Sequence, residues 1–443
     1  MKRLLVISPH WPPINAPDHQ RVRMSLPYYR EHGWEPVVLA VHPDDVAGTR
    51  EPELEQTYPK DVRIVRCRAL SLRWTRWFGL GNLGLRAWWS LLRTGSRLLK
   101  TEAFDLVLFS NTQFITFTLG LIWRRRFGVS YVIDLQDPWR TDSYERPNAP
   151  PPPGGRKYLV ARCLAFLFEG RTYRRAAGFI SVSERYFSTL ARRYPWFHSK
   201  PQATIRFGIS DADFDYIRRH PPAGARLVRQ PGKTHLLYTG VAGPIMPHAL
   251  NILFEGFTRY RQAHPERAAR FQFHFVGTSY VAPGQGTPSI LPVAERFALN
   301  SCVEEIPHRI GHLESLALLL QADALILPGS SDSAYSPSKL YPYYLSGKPI
   351  LGIVFEHSHL ERLLAELACS WLVSFSPAGT NGPAYARLGA FFDYALAGFP
   401  AGVLPARNET AFRQSYLAEP LTAAQCALFA EALAGHPTGR HRE

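Results

Sequence analysis

The chain has 443 residues, more than one hydrophobic core usually holds, so two domains are expected before any motif is read. Hydrophobic residues make up 46% and charged residues 20%, a globular balance that argues against disorder. A formal charge of +15 calls for an anionic partner, which charge alone leaves open among nucleic acid, an acidic membrane face and phosphorylated small molecules.

The apolar run Leu4–Ile7 is short and closes with Ser8-Pro9, so it reads as a first strand rather than a signal peptide. Further strands are expected at Pro36–Val41, Val62–Arg66, Asp105–Phe109, Ser130–Asp134 and Gly178–Val182. Helices are expected at Arg21–His32, Leu85–Lys100 and Lys157–Ala176. Strand–helix alternation of this kind predicts an α/β doubly wound sheet. No stretch approaches the roughly 18 apolar residues of a membrane span; Phe114–Trp123 comes nearest and ends in Arg124-Arg125-Arg126. The Pro-rich stretch Asn148–Gly155 reads as a surface loop.

The Pro/Gly-rich stretch 218–232 is expected to link a first domain, 1–217, to a second, 233–409. In the second, strands are expected at His235–Gly240, Phe271–Gly277, Asp323–Pro328 and Pro349–Val354. Helices are expected at His248–Ala263, Leu313–Ala322, Lys339–Ser346 and His357–Leu367. The tail, 410–443, is helical in pattern and placed to cross back to the first domain. Five cysteines, Cys67, Cys163, Cys302, Cys369 and Cys426, are scattered without C-x-x-C pairing and read as reduced thiols, and no metal motif is evident.

Two segments carry most of the functional signal. Between Asp61 and Glu102 no residue is acidic, while nine are Arg or Lys and four are Trp, Trp74, Trp77, Trp88 and Trp89. At helical spacing Arg86, Arg93, Arg97 and Lys100 form a stripe beside Leu85, Trp88, Trp89, Leu92 and Leu99. Such a helix docks on an anionic membrane or packs its apolar face on its own domain. The second segment runs from Ser336 to Ile350. It sets Ser338 and Lys339 at a helix start, where free N–H groups and the dipole favour a phosphate, unless the pair is an ordinary cap. Gly347-Lys348-Pro349 closes that helix.

The second segment resembles the nucleotide-diphosphate loop, P-S-K-x-x-E-Y-x-x-x-G-K-P, of glycosyltransferase family 4 and its GT-B relatives. Other pieces are similar in the same order: Pro9-His10-Trp11-Pro12-Pro13, His32–Val38, Ser181–Glu184, Tyr238-Thr239-Gly240 and Phe275-Val276-Gly277. The resemblance implies the GT-B fold, two Rossmann-like domains facing a central cleft, the first binding the acceptor and the second a nucleotide-sugar donor. The chain departs from the family at Pro342 and Ala334, where the family carries its pair of Glu, and at Val241–Pro247, which lacks the usual Arg and Lys. Phe207-Gly208 replaces an Asn-Gly pair. Donor phosphate then rests on Lys339, with Arg309 as helper and Gly240 and Gly277 ending the donor strands.

In the first domain Asp137 lies just past a strand, as a base for an acceptor hydroxyl or as a turn residue pairing with Arg140. Asp18, His19 and His10 in the first loop compete with it, and Arg21, Arg23 and Arg140 suit an anionic acceptor. The reading is a hexosyltransferase-like glycosyltransferase, retaining or inverting left open, acting on a glycan or lipid-linked acceptor in surface polysaccharide assembly. It is expected in the cytoplasm, or peripheral on the inner face of the plasma membrane. No cofactor beyond the nucleotide-sugar substrate is expected, and no nucleic acid. A sugar-nucleotide epimerase of the same fold and a degenerate scaffold are the alternatives.

Overall fold

The computed structural model describes residues 1–75, 77, 81–141, 156–224, 227–242, 246–279, 281, 284–330, 338–376, 379, 381–404 and 406–435. The Pro-rich stretch 148–155, Ser336, Pro337 and Ala334 lie outside them. The chain forms two compact units, residues 1–210 with 416–443, and residues 211–415.

The first unit runs β1 (Lys2–Ile7), α1 (Gln20–Ser25), β2 (Trp34–Val41), β3 (Arg63–Cys67), α2 (Leu72–Thr75), α3 (Leu83–Thr101), β4 (Leu106–Ser110), α4 (Thr118–Phe127), β5 (Ser130–Leu135), α5 (Arg156–Arg175), β6 (Gly178–Ser181), α6 (Glu184–Arg193) and β7 (Gln202–Thr204). Its strands are all parallel, in the order β3-β2-β1-β4-β5-β6-β7. Runs such as Leu4–Ile7 and Leu106–Phe109 are buried on both faces, as strands covered by helices on either side must be. α1 stops at Ser25, far short of His32, because Pro27 has no N–H to give the next turn.

The second unit runs α7 (Asp211–Arg219), β8 (Thr234–Thr239), α8 (Pro247–Ala263), α9 (Pro265–Ala268), β9 (Phe271–Val276), α10 (Leu291–Glu295), β10 (Val303–Ile306), α11 (His312–Gln321), β11 (Ala324–Pro328), α12 (Leu340–Leu345), β12 (Ile350–Phe355), α13 (His359–Leu367), β13 (Ser370–Phe375), α14 (Gly382–Leu396) and α15 (Glu409–Tyr416). Its parallel order is β10-β9-β8-β11-β12-β13. In each sheet the strand order reverses once, between β1 and β4 and between β8 and β11. Loops leaving the carboxyl ends of such strands diverge and leave a crevice for a ligand.

The unit boundary falls before α7, not after Ile217. Asp213 of α7 is fully buried and accepts a hydrogen bond from His312 Nε2 of α11 at 3.0 Å. The expected linker likewise packs on the second unit: Leu227 N–H donates to Gln321 Oε1 at 3.0 Å, and Arg229 pairs with Asp323 at 2.9 Å. The tail is two helices rather than one, because Leu417 is extended and bridges to Ile209. After it, α16 (Ala418–Ala434) lies on the first unit, where Phe429 meets Trp34 edge to face at 5.4 Å. Gln425 accepts from the Tyr29 hydroxyl at 2.8 Å and donates to Ser25 at 2.9 Å. β7, β10 and β13 escape the sequence reading; β10, Val-Glu-Glu-Ile, is a short edge strand with two acids.

Phe429 is fully buried, so Phe429→Ala should cost about 3–5 kcal/mol in the unfolding of the first unit. Denaturant titration followed by circular dichroism measures this; a loss below about 1 kcal/mol would show that α16 contributes little to that core.

Candidate functional site

In the first unit the loops after β1 and β4 meet where the strand order reverses. His10 Nδ1–H donates to the Asp18 carboxylate at 2.9 Å. The same carboxylate accepts from the backbone N–H and the hydroxyl of Thr112, at 3.3 and 3.1 Å. Gln136 Nε2 holds the Asp18 carbonyl at 2.8 Å. Burial by itself would raise the Asp18 carboxyl. The charge and hydrogen bond of His10, with His19 and Thr112, outweigh it and hold the group below the ordinary aspartate value. Asp18 is 2% exposed and its oxygens are engaged, so it orients His10 rather than meeting a substrate. The His10 side chain is 18% exposed, and its Nε2 has no partner among the described residues. Asp137, past β5, reaches solvent; protein packed around it and the negative Asp18 push its carboxyl up.

Other loop candidates turn inward. His19 is fully buried, its Nε2 engaged with the Ile14 carbonyl at 2.9 Å, and burial depresses its pKa to about 3, so it is a neutral structural ring and not a base for a substrate. Arg21, expected at the acceptor, pairs with fully buried Asp134 at 2.9 Å and donates to the Ile205 carbonyl at 2.7 Å. Arg23 is spent on Gln20 and Thr57. Arg140 stacks over Phe166 of α5 at 3.7 Å instead of pairing with Asp137.

In the second unit β8 and β9 end in Gly240 and Gly277, both left-handed with φ of +112° and +75°. A Cβ on Gly240 would sit 2.1 Å from Lys339 Cε, so glycine is what lets Lys339 cross the end of β8. Lys339 Nζ donates to the Val241 carbonyl at 3.2 Å and lies 5.1 Å from the Tyr238 ring. Burial alone, with no carboxylate opposing it among the described residues, depresses its ammonium to about 8. Tyr343 fixes α12 here, its hydroxyl accepting from Thr239 N–H at 2.9 Å.

α12 has six residues and begins after Lys339, so the lysine's own charge, more than a long helix dipole, defines the spot. Ser338 beside it is exposed. Arg309, half-buried, rides on the loop after β10 next to Gly277, whose N–H donates to the Ile306 carbonyl at 2.8 Å. Pro342 occupies the first turn of α12, and Lys348 lies at the far end, beyond Gly347. Sequence reasoning missed Thr112, Tyr343 and the Val241 carbonyl; nothing local marks them, since each meets its partner across about 90 residues or more.

Along α3 the expected membrane stripe divides. Arg86 is buried and donates to the carbonyls of Leu70 and Asp45 at 2.7 and 2.9 Å, so it ties loops together and cannot touch a membrane. Trp88 is half-buried and donates to Thr118 Oγ1 at 2.9 Å. Trp89, Arg93 and Arg97 are exposed. Among the described residues no helix is long and apolar enough to cross a membrane, and no His, Cys, Asp and Glu group could hold a metal ion.

Two parallel sheets with alternating helices define an α/β fold of the GT-B class. Residues 19–204, within the first unit, match the family described as glycosyl transferase 4-like domain. The N-terminal domain of trehalose-6-phosphate phosphatase from Candida albicans is similar in structure, at 15% identity over 98% of this chain and 93% of that one, with a TM-score of 0.52. An α,α-trehalose-phosphate synthase from Burkholderia vietnamiensis is similar at 13% identity, covering 98% and 95%, with a TM-score of 0.49. HepE from Anabaena, solved with UDP, is similar at 13% identity, covering 98% and 97%, with a TM-score of 0.48. Likeness at these identities speaks for the fold alone. No curated protein matches the sequence.

Gly240→Ala should expel the lysine and return its titration toward the ordinary lysine value of 10.5. With dimethylated lysines followed by NMR, one resonance should titrate near about 8 in the native protein and move up in the variant. A native spectrum in which every lysine titrates above about 10 would refute the buried ammonium.

Proposed function

We propose that the chain is a glycosyltransferase that moves a sugar from a nucleotide-sugar donor to a glycan or lipid-linked acceptor in surface polysaccharide assembly, working at the cytoplasmic face of the membrane. The observation that carries this reading is Lys339, a desolvated ammonium with no facing carboxylate among the described residues, held over Gly240 at the end of β8. A cation left in that state is stabilised by an anion brought from solution, and the diphosphate of a sugar nucleotide is such an anion. Two glycine-ended strands leave room for a phosphate to approach backbone. Arg309, on the neighbouring loop, is the second donor group of this reading, with Ser338 beside it.

The first unit supplies the acceptor chemistry. Asp18 holds the tautomer in which His10 Nδ1 carries the proton, which leaves the Nε2 lone pair free to accept one. In the proposed reaction His10 Nε2 takes the proton of the acceptor hydroxyl as the oxygen bonds to the anomeric carbon. The bond from that carbon to the diphosphate breaks, and Lys339 stabilises the charge that the leaving group gains. A base of this kind suits a single displacement, with inversion at the anomeric carbon. Asp137, its carboxyl pushed up, is placed in this reading at the acceptor beside His10.

Lys339→Ala should weaken binding of UDP, GDP or ADP by about ten- to a hundredfold, and Lys348→Ala much less. Phosphate favours the ammonium and so raises the lysine pKa. Binding at a pH somewhat above 8 should therefore take up a proton, seen as a calorimetric enthalpy that changes with the buffer. Equal, negligible effects of both substitutions would remove the donor site. His10→Ala should lower turnover by about 10²–10⁴ with nucleotide affinity unchanged; unchanged turnover would exclude His10 as the base.

A further inference from the structure

One helical side of the first unit remains without a role in the reaction. α2, α3 and α4 contain no acidic residue, and the single acid of α5, Glu169, is 1% exposed and paired with Arg193 at 2.8 Å. Apart from the buried Arg86, cations of these helices face solvent, among them Arg93, Arg97, Arg125 and Arg162. So do large apolar side chains. Trp74 is 76% exposed, Trp89 70%, Leu159 56%, Phe166 58% and Leu167 64%. On α5, Leu159, Val160, Cys163, Phe166 and Leu167 recur at helical spacing on one stripe, while Ala165, Thr172 and Tyr173 face the core.

α3, α4 and α5 adjoin one another, and Leu70, two residues before α2, donates its N–H to the Arg86 carbonyl of α3 at 3.1 Å. Trp88 of α3 bonds to Thr118 of α4, Trp139 stacks on Phe114 at 6.2 Å and touches Tyr173 of α5, and Arg140 covers Phe166. Each helix runs antiparallel to the strand before it, so its first turns lie toward the carboxyl ends of the strands. The exposed apolar residues lie ahead of the last turns: Trp89 in α3, and Leu159 to Leu167 in α5. Cations dominate the later turns, with Arg97 and Lys100 in α3, Arg125 and Arg126 in α4, and Arg174 and Arg175 in α5. An apolar zone thus lies nearer the carboxyl ends of the strands than the basic flank that follows it along the helices.

We infer that this side of the first unit is a docking surface for an anionic lipid bilayer, with Trp74, Trp89, Phe166 and Leu167 entering the interfacial layer and the arginines lying over acidic headgroups. Charge decides the occupant. A second copy of this face would set cations against cations, whereas an acidic leaflet neutralises them and takes up the apolar zone. The surface deepens the lipid-linked acceptor of the proposed function and rests on that reading only in presenting the acceptor beside His10.

The test is co-sedimentation of the full chain with phosphatidylcholine vesicles and with vesicles containing phosphatidylglycerol. Binding is expected to the anionic vesicles only, and to weaken as salt rises. Phe166→Ser with Leu167→Ser, and separately Trp74→Ser with Trp89→Ser, should each lower partitioning about tenfold with the melting temperature unchanged. Folded variants that partition like the native chain would overturn the surface, as would native protein that ignores anionic vesicles. Concentration-dependent dimerisation abolished by the same substitutions would give the face to a second copy instead. UDP binding, measured in parallel, separates this surface from the transferase reading: it should persist in every variant, and its absence from the native chain would sink the transferase alone.

Discussion

The buried pair Arg21–Asp134 is the constraint on which the first site depends. The two are 5% and 0% exposed, and Asp134 also accepts from the Ser110 hydroxyl at 2.7 Å. Ser110 ends β4, Asp134 sits one residue before the end of β5, Arg21 lies in the first turn of α1, and the guanidinium continues to the carbonyls of Ile205 and Arg206. One side chain therefore ties the first loop to the ends of two strands and to the close of the unit. Removing either partner would strand a charge in the interior, at a cost of about 3–5 kcal/mol. With the loop pinned, Gln136 can reach the Asp18 carbonyl and Thr112 can bracket the Asp18 carboxylate. His10 is the last member of this chain of contacts and the one that opens to solvent.

The second unit handles charge in the opposite way. Lys339 is desolvated without a facing carboxylate among the described residues, and its ammonium is lowered as a result. A structural cation would be paired, as Arg21 is. A lysine held by a carbonyl and an aromatic face over a glycine is poised for an anion that arrives later. Both sites occupy the place where strand order reverses, because only there do neighbouring loops part and leave backbone and side chains accessible. The docking surface follows from the same topology, since helices that return along the sheet place its apolar zone nearer the carboxyl ends of the strands than its basic flank.

The class of fold was legible in the chain, because buried parallel strands and amphipathic helices are written in residues that are near neighbours. The short apolar runs from β1 to β6, and those at β8, β9, β11 and β12, carry their own signal. β10 and β7 do not, being short edge strands that the rest of the sheet recruits. Gly240, Gly277 and Gly347 also marked real left-handed positions. The alternation thus came from local periodicity, and the glycines from local backbone geometry.

Which polar side chains face solvent was decided by the tertiary structure. In the loop His10–Arg23 the sequence presents two histidines, one aspartate and two arginines as equivalents. Thr112, Gln136 and the Ile205 carbonyl, 94, 118 and 184 residues away from their partners, sort them into one open imidazole and four enclosed groups. Arg86 looked like part of an exposed stripe until the carbonyls of Leu70 and Asp45 claimed it. The unit boundary moved because Asp213 finds His312, and the tail broke at Leu417 because Ile209 pairs with it. Periodicity determines what a segment becomes; the burial and charge of a particular loop residue depend on distant groups that only folding brings to it.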